Sequence, residues 1–185
     1  MILIALGANL PSRAGDPADT LRAALTSLGA RGITVESQSG FYASPAWPDP
    51  SDPPFVNAVA SVRTELAPAD LLRILHEVED AFGRERRPRN APRTLDLDLI
   101  DYGGRVEPGP PELPHPRMAS RAFVLLPLRD VAPKWRHPVS SRTVSELIAE
   151  TSSAGVTPLK SNHHGRPPSR PPSPRVSTRG KSSLT

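Results

Sequence analysis

Asp96 and Asp98 stand two residues apart in the run Pro92-Arg93-Thr94-Leu95-Asp96-Leu97-Asp98-Leu99-Ile100. On an extended strand alternate side chains share a face, so the two carboxylates project together while Leu95, Leu97 and Leu99 turn to a core. Unaccompanied, they repel and one takes up a proton; a divalent cation between or beside them removes that penalty. Hard oxygen donors in this number suit Mg²⁺, which keeps several waters and completes its shell with substrate phosphates. A half-exposed strand can also alternate leucine and aspartate for packing alone, so the neighbouring residues decide what the pair does.

Immediately upstream, Gly83-Arg84-Glu85-Arg86-Arg87-Pro88-Arg89-Asn90-Ala91-Pro92-Arg93 sets five arginines beside the acids. A charge run is usually a solvated face. Guanidinium forks next to metal-binding carboxylates, however, match phosphate oxygens and neutralise a polyphosphate during transfer. The chain has no Gly-X-X-X-X-Gly-Lys-Ser/Thr loop and no kinase glycine loop with its Asp-Phe-Gly, and lysine is scarce. Side chains, arginine above all, must therefore hold the phosphates.

These residues need elements to position them. Ile2 to Leu6 reads as a strand running into Gly7-Ala8-Asn9-Leu10-Pro11, followed by Leu21, Leu25 and Leu28 at helical spacing before Gly29. Ile33 to Tyr42 reads as a second strand, and Phe55 to Val62 as a third beyond a long proline-rich loop. Pro68 opens a helix striped by Leu71, Leu72, Leu75, Val78 and Phe82, and Gly83 closes it. Leu95 to Tyr102 is the acidic strand, ended by Gly103-Gly104, and helical patterns near Arg121–Val131 and Val144–Glu150 follow. The order predicts an α+β, ferredoxin-like βαββαβ sandwich with helices on one face of an antiparallel sheet. That fold hosts many activities, so function has to come from the site.

At 185 residues with 37% apolar content, the chain is long enough for one domain with a real core. With no cysteine it can form neither disulfides nor thiolate metal sites, which suits a cytoplasmic protein. No apolar run approaches the roughly 20 residues of a membrane span, and the start lacks a basic leader, so a soluble protein is expected. The net charge of +4 is misleading, because residues 151–185 carry six lysines and arginines with no acid, which leaves the preceding residues near −2. We expect the domain to cover residues 1–156 and residues 157–185 to be a disordered Pro/Ser/Arg-rich tail without assigned role.

The chain resembles the 6-hydroxymethyl-7,8-dihydropterin pyrophosphokinases of folate biosynthesis over about residues 1–150. Six ordered motifs carry the likeness: Leu6-Gly7-Ala8-Asn9-Leu10, Tyr42-Ala43-Ser44-Pro45, Phe55-Val56-Asn57-Ala58, Phe82-Gly83-Arg84, Pro92-Arg93-Thr94-Leu95-Asp96-Leu97-Asp98 and Leu113-Pro114-His115-Pro116-Arg117-Met118. The resemblance implies transfer of the pyrophosphoryl group of ATP to the pterin's hydroxymethyl oxygen, with two Mg²⁺ ions on Asp96 and Asp98. By matching position, Arg84 and Arg93 would stabilise the transition state, and His76, Glu79, Arg86, His115 and Arg121 would bind ATP. Ser44, Pro45, Trp47, Phe55, Asn57 and Phe123 would surround the pterin, with Asn57 bonding its edge and the two phenylalanines stacking on it. A flat heterocycle with donors and acceptors along its edge asks for such a set. Asn90 stands where the family often has a tryptophan, and the arginine loop is one residue shorter than usual.

The loops from Ala43 to Pro54 and from Arg84 to Pro92 flank these residues and are candidate lids. A monomer acting on ATP and the pterin is expected, with room for association with the next enzyme of the pathway. Two rivals remain: another Mg²⁺-dependent nucleotidyl or phosphoryl transferase on the same fold, and an RNA-binding module suggested by the arginines. Aromatics at only 4%, with none interleaved with basic residues along a strand, argue against nucleic acid.

Overall fold

A computed structural model of the chain describes residues 1–84 and 92–160. Within them run β1 (Ile2–Ala8), α1 (Pro17–Gly29), β2 (Thr34–Gln38), β3 (Tyr42–Ser44), β4 (Phe55–Arg63), α2 (Pro68–Ala81) and β5 (Asp96–Tyr102). A 3₁₀ turn at Met118–Ser120, α3 (Ala122–Val131), α4 (Val144–Glu150) and β6 (Thr157–Pro158) complete the order. Local chemistry sets the helix starts. Asp16 caps α1 by accepting the Asp19 N–H at 2.8 Å with Pro17 in the first turn, and Thr143 and Glu146 form a reciprocal capping box on α4.

The strands form one antiparallel sheet in the order β5-β1-β4-β3-β6, with β2 also paired to β4. Ile4 and Leu6 of β1, Ala58, Ala60 and Val62 of β4, and Leu97 and Leu99 of β5 pack against α1 and α2. On the opposite face, Leu3, Val59 and Ile100 pack under Val124, Leu125 and Leu128 of α3 and Val144 and Leu147 of α4. The expectation of helices on one face is thereby corrected: helices cover both. The reason is that β1 is apolar at nearly every position, as strands buried on both faces are. No helix among the described residues is long and apolar enough to cross a membrane.

Two boundaries also shift. The expected strand from Ile33 to Tyr42 is broken at Ser39, whose Oγ accepts the Val59 N–H at 3.0 Å where a ladder carbonyl would have stood. The segment expected to lie beyond the domain begins instead with a strand: Thr157 and Pro158 pair with Ala43 and Tyr42, and the Leu159 N–H donates to the Phe41 carbonyl at 2.7 Å. Backbone hydrogen bonds cover the otherwise bare edge of β3, so an apolar side chain is not needed there.

A bulge in β5 matters for its lower half. Ile4 faces Leu99 while its neighbour Leu3 faces Asp101, so Ile100 is the extra residue and Asp101 is turned inward. The buried Asp101 carboxylate is satisfied there by the Trp135 Nε1–H at 2.6 Å and the Gly104 N–H at 2.8 Å.

Candidate active site

Three adjacent strands bring Asn57, Asp96 and Asp98 of the predicted residues together. Gly7 on β1 faces Asn57 on β4 on one side and Asp96 on β5 on the other, and Ala5 faces Asp98. Asp96 and Asp98 alternate with Leu97 and Leu99, which lie in the core under α1 and α2, so the carboxylates stand on the opposite face. Small residues in β1 leave that face open beside them.

The arginine–carboxylate association expected from the sequence is present. Arg84 Nη1 lies 2.9 Å and Arg93 Nη1 3.0 Å from Asp96 Oδ1. Arg84 also pairs with Glu79, which α2 presents to the outer edge of β5, where its Oε1 accepts the Leu97 N–H at 2.6 Å. β5 is the last strand of the sheet on that side, so this N–H has no strand partner, and Glu79 caps the edge as well as holding Arg84.

Burial pushes the Glu79 carboxyl up to about 7, against the opposing pull of the Leu97 N–H and Arg84. Its folded value lies above the ordinary 4.5, so the folded state binds the proton more tightly and stability falls as pH rises from about 4.5 to about 7. Glu79→Gln, which keeps the acceptor oxygen, is expected to flatten this part of the stability–pH curve, where the parent loses about 3 kcal/mol. Thermal melts of both proteins across that range check it; parallel curves would refute it.

Asp98 titrates above the ordinary carboxylate range, because it is buried and because Asp96 repels its charge. His115 is shifted down by burial, with Asp98 pulling the other way. Its backbone N–H donates to the Ile100 carbonyl at 2.8 Å, which fixes the loop to β5, and its Nδ1 accepts the Arg117 N–H at 3.2 Å. Arg121 is lowered by burial and by Arg117, and its guanidinium lies 5.5 Å from the Phe123 ring centroid. No group of three or more His, Cys, Asp or Glu residues among those described could hold a metal. Two hard carboxylates on one strand face, with the remaining positions left to water and phosphate, nevertheless fit a Mg²⁺ donor set.

Across Gly7, the Asn57 side chain is buried and its NH₂ is already spent, donating to Ser44 Oγ at 3.0 Å and the Tyr42 carbonyl at 3.3 Å. That orientation turns Oδ1 toward the space above Gly7, so Asn57 presents an acceptor. Phe55 shares this face of β4, two residues from Asn57, and Phe123 is half-buried in the first turn of α3. Ser44 is thus a buried partner of Asn57, while Pro45 is exposed and Trp47 is 71% exposed. His76 is exposed on α2. Arg86 and Asn90 lie outside the described residues.

Asn9 was not anticipated. It is buried, with Oδ1 accepting the Arg93 N–H at 2.8 Å and Nδ2 donating to the Pro53 carbonyl at 3.0 Å, while its own N–H donates to the Arg93 carbonyl at 3.1 Å. One side chain therefore anchors Arg93 and the end of the loop before β4. The signal was an asparagine directly after a strand, a position where its short amide readily bonds nearby backbone.

Comparison with known proteins gives the family. The model of the family described as 7,8-dihydro-6-hydroxymethylpterin-pyrophosphokinase (HPPK) matches residues 3–133. Two curated relatives are named 2-amino-4-hydroxy-6-hydroxymethyldihydropteridine pyrophosphokinase. The one from Synechocystis is 40% identical over 159 residues, covering 85% of this chain and 79% of its own. The one from Pseudomonas aeruginosa is 39% identical over 160 residues, covering 85% and 96%. The crystal structure of Plasmodium falciparum HPPK-DHPS wild type superposes with a TM-score of 0.61 at 14% identity, covering 80% of this chain and 40% of that one, a likeness of fold. A sheet with this acid–arginine corner, matched over most of the chain by the family model and by relatives near 40% identity, places the chain in the HPPK family.

Proposed function

We infer that this chain transfers the pyrophosphoryl group of ATP to the hydroxymethyl oxygen of 6-hydroxymethyl-7,8-dihydropterin, giving AMP and the pterin diphosphate, in folate biosynthesis. The observation that carries the reading is the pairing of Arg84 and Arg93 with Asp96, one strand away from Asn57 across the side-chain-free Gly7. Phosphate chemistry and acceptor recognition then meet on one sheet face.

In this reading Asp96 and Asp98 hold two Mg²⁺ ions, which supply charge neutralisation of the phosphate oxygens. Arg84 and Arg93 turn their forks to the transferred group, where charge builds up as the bond to AMP breaks. His115, shifted down and so neutral near pH 7, accepts at Nδ1 from the backbone; its proton then sits on Nε2, ready to donate to a phosphate oxygen. Arg121 adds positive charge, and Asn57 Oδ1 takes an N–H from the acceptor's edge. Phe55 and Phe123 close on the two ring faces, with Ser44 supporting Asn57 from behind and Pro45 and Trp47 forming the rim, while His76 and Arg86 take the nucleotide side and Glu79 contributes there by holding Arg84. The alcohol attacks in line, and positioning with electrostatics supplies most of the rate, so a strong general base is not required. Association with the enzyme that consumes the product is part of this reading, supported by the joined name HPPK-DHPS of the Plasmodium chain.

Separating nucleotides after incubation with ATP, Mg²⁺ and the hydroxymethyl pterin tests the reading. AMP in equal amount to pterin diphosphate is expected. Release of inorganic pyrophosphate would instead mark a nucleotidyl transferase.

A further inference from the structure

β3 is only three residues long, yet it directs the Asn57 side chain: the Tyr42 carbonyl and the Ser44 hydroxyl accept from its NH₂ at 3.3 and 3.0 Å. β4 pairs with the inner edge of β3, and the outer backbone groups need partners of their own. Those partners come from residues more than a hundred positions further along the chain. Thr157 and Pro158 pair with Ala43 and Tyr42, and the Leu159 N–H donates to the Phe41 carbonyl at 2.7 Å. Just before them, Gly155 rests on Pro45 so closely that a Cβ would stand 2.9 Å from Pro45 Cγ and 3.1 Å from its Cδ, and its φ of 78° lies in the left-handed region. The Val156 N–H closes the turn that delivers the segment, donating to the Ser153 carbonyl at 3.0 Å. Residues 155–159 thus follow the chain from Phe41 to Pro45 along its whole length. Burial does not explain this docking, because all of them except the half-buried Val156 are exposed.

We propose that residues 155–159 form a positioning strap for acceptor binding, acting through β3 and touching no substrate. The strap keeps the Tyr42 carbonyl and the Ser44 hydroxyl on the Asn57 amide, which holds Oδ1 toward the acceptor. An amide released from those two partners turns over and presents NH₂ in place of Oδ1, a donor where an acceptor is needed. By seating Gly155 on Pro45, the strap also fixes the root of the loop that continues to Trp47. The phosphate side is independent of it: Asp96 and Asp98 stand on β5, with β1 and β4 between that strand and β3. Loss of the strap therefore weakens the acceptor in ground state and transition state alike, which raises KM and leaves kcat. This inference rests on the activity inferred above.

The test uses the full chain with Leu159→Pro, which removes the N–H donated to Phe41, and with Gly155→Ala, which sets a methyl group against Pro45. Leu159→Ala keeps the N–H and is the conservative control. Readouts are the thermal melt, binding of a non-hydrolysable ATP analogue with Mg²⁺, binding of the hydroxymethyl pterin to the protein holding that analogue, and steady-state kinetics. For Leu159→Pro and Gly155→Ala the acceptor's Kd and KM should rise about 10-fold, the size of one lost backbone hydrogen bond, with kcat and analogue affinity within about twofold of the parent. Leu159→Ala should bind the acceptor as the parent does, and all three variants should melt close to it. Parent-like acceptor binding in either Leu159→Pro or Gly155→Ala would overturn the proposal. So would equal weakening of analogue and acceptor, the mark of a purely structural segment, or an equal loss in Leu159→Ala, which would assign the effect to the side chain. Because the strap is read by binding, a parent that binds the pterin but forms no AMP would overturn the inferred activity alone, so the two failures are distinguishable.

Discussion

Asp98→Asn is expected to abolish turnover, by more than about 10³-fold, while raising the melting temperature at neutral pH. The rate loss follows from removing one of two carboxylates that fit the cation, whose charge stabilisation amounts to several kcal/mol, with each 1.4 kcal/mol a factor of about 10. The stability gain follows from the raised carboxyl. Burial and the Asp96 charge lift Asp98 above its ordinary value, more than His115, Arg121 and Arg84 lower it. The folded state then binds the proton more tightly than the unfolded one, so stability falls as pH rises through the interval between the two values. At neutral pH, above the ordinary carboxylate value, this penalty weighs on the folded state, and asparagine removes it. Asp96→Ala should lose turnover equally but behave oppositely in the melt, because Arg84 and Arg93 would be left facing each other without the carboxylate between them. Activity above a tenth of the parent in either variant would remove the metal assignment. A lowered melting temperature for Asp98→Asn would show that the carboxylate is better compensated than its burial suggests.

The acidic strand could be read from the sequence because a period of two is a direct property of extended backbone: Leu97 and Leu99 went to one face and both aspartates to the other. The arginine partnership was readable for a similar reason, since Arg93 precedes Asp96 by three residues and the Arg84 segment follows α2 directly. What escaped depended on the order of strands in the sheet. That β5 lies at an edge, and so leaves the Leu97 N–H for Glu79 to cap, cannot be seen from α2's own pattern, where Glu79 looks like any polar position. Helices on the second face escaped because a nearly all-apolar β1 is compatible with one covered face or two until α3 is placed. β6 escaped because its contribution is backbone pairing, to which composition is blind. Gly7 and Asn9 were visible as a motif, but their roles come from neighbours about 50 and 85 residues away, Asn57 and Arg93, that only the register reveals.

Arg93→Ala is expected to lower kcat by about 10²–10³-fold with little change in KM for ATP. Its backbone explains why the effect should be so confined. The Arg93 N–H and carbonyl are both engaged by Asn9, so truncating the side chain leaves the loop anchored and the start of β5 in place. The guanidinium pairs with Asp96, a contact it shares with Arg84. Ground-state electrostatics at this carboxylate therefore retain one arginine after the other is removed, and binding of ATP changes little. The transition state differs because charge spreads over several oxygens of the group in transfer, and each preorganised donor aimed at them is worth about 3–4 kcal/mol. Arg93→Lys should recover only part of the rate, since an ammonium supplies the charge without the two-pronged geometry that matches a phosphate edge. A variant with unchanged kcat and a raised KM for ATP would move Arg93 from the reacting group to ordinary nucleotide binding. Full rescue by lysine would show that only its charge matters, as expected for long-range attraction of the polyphosphate rather than for a donor held against the atoms that react.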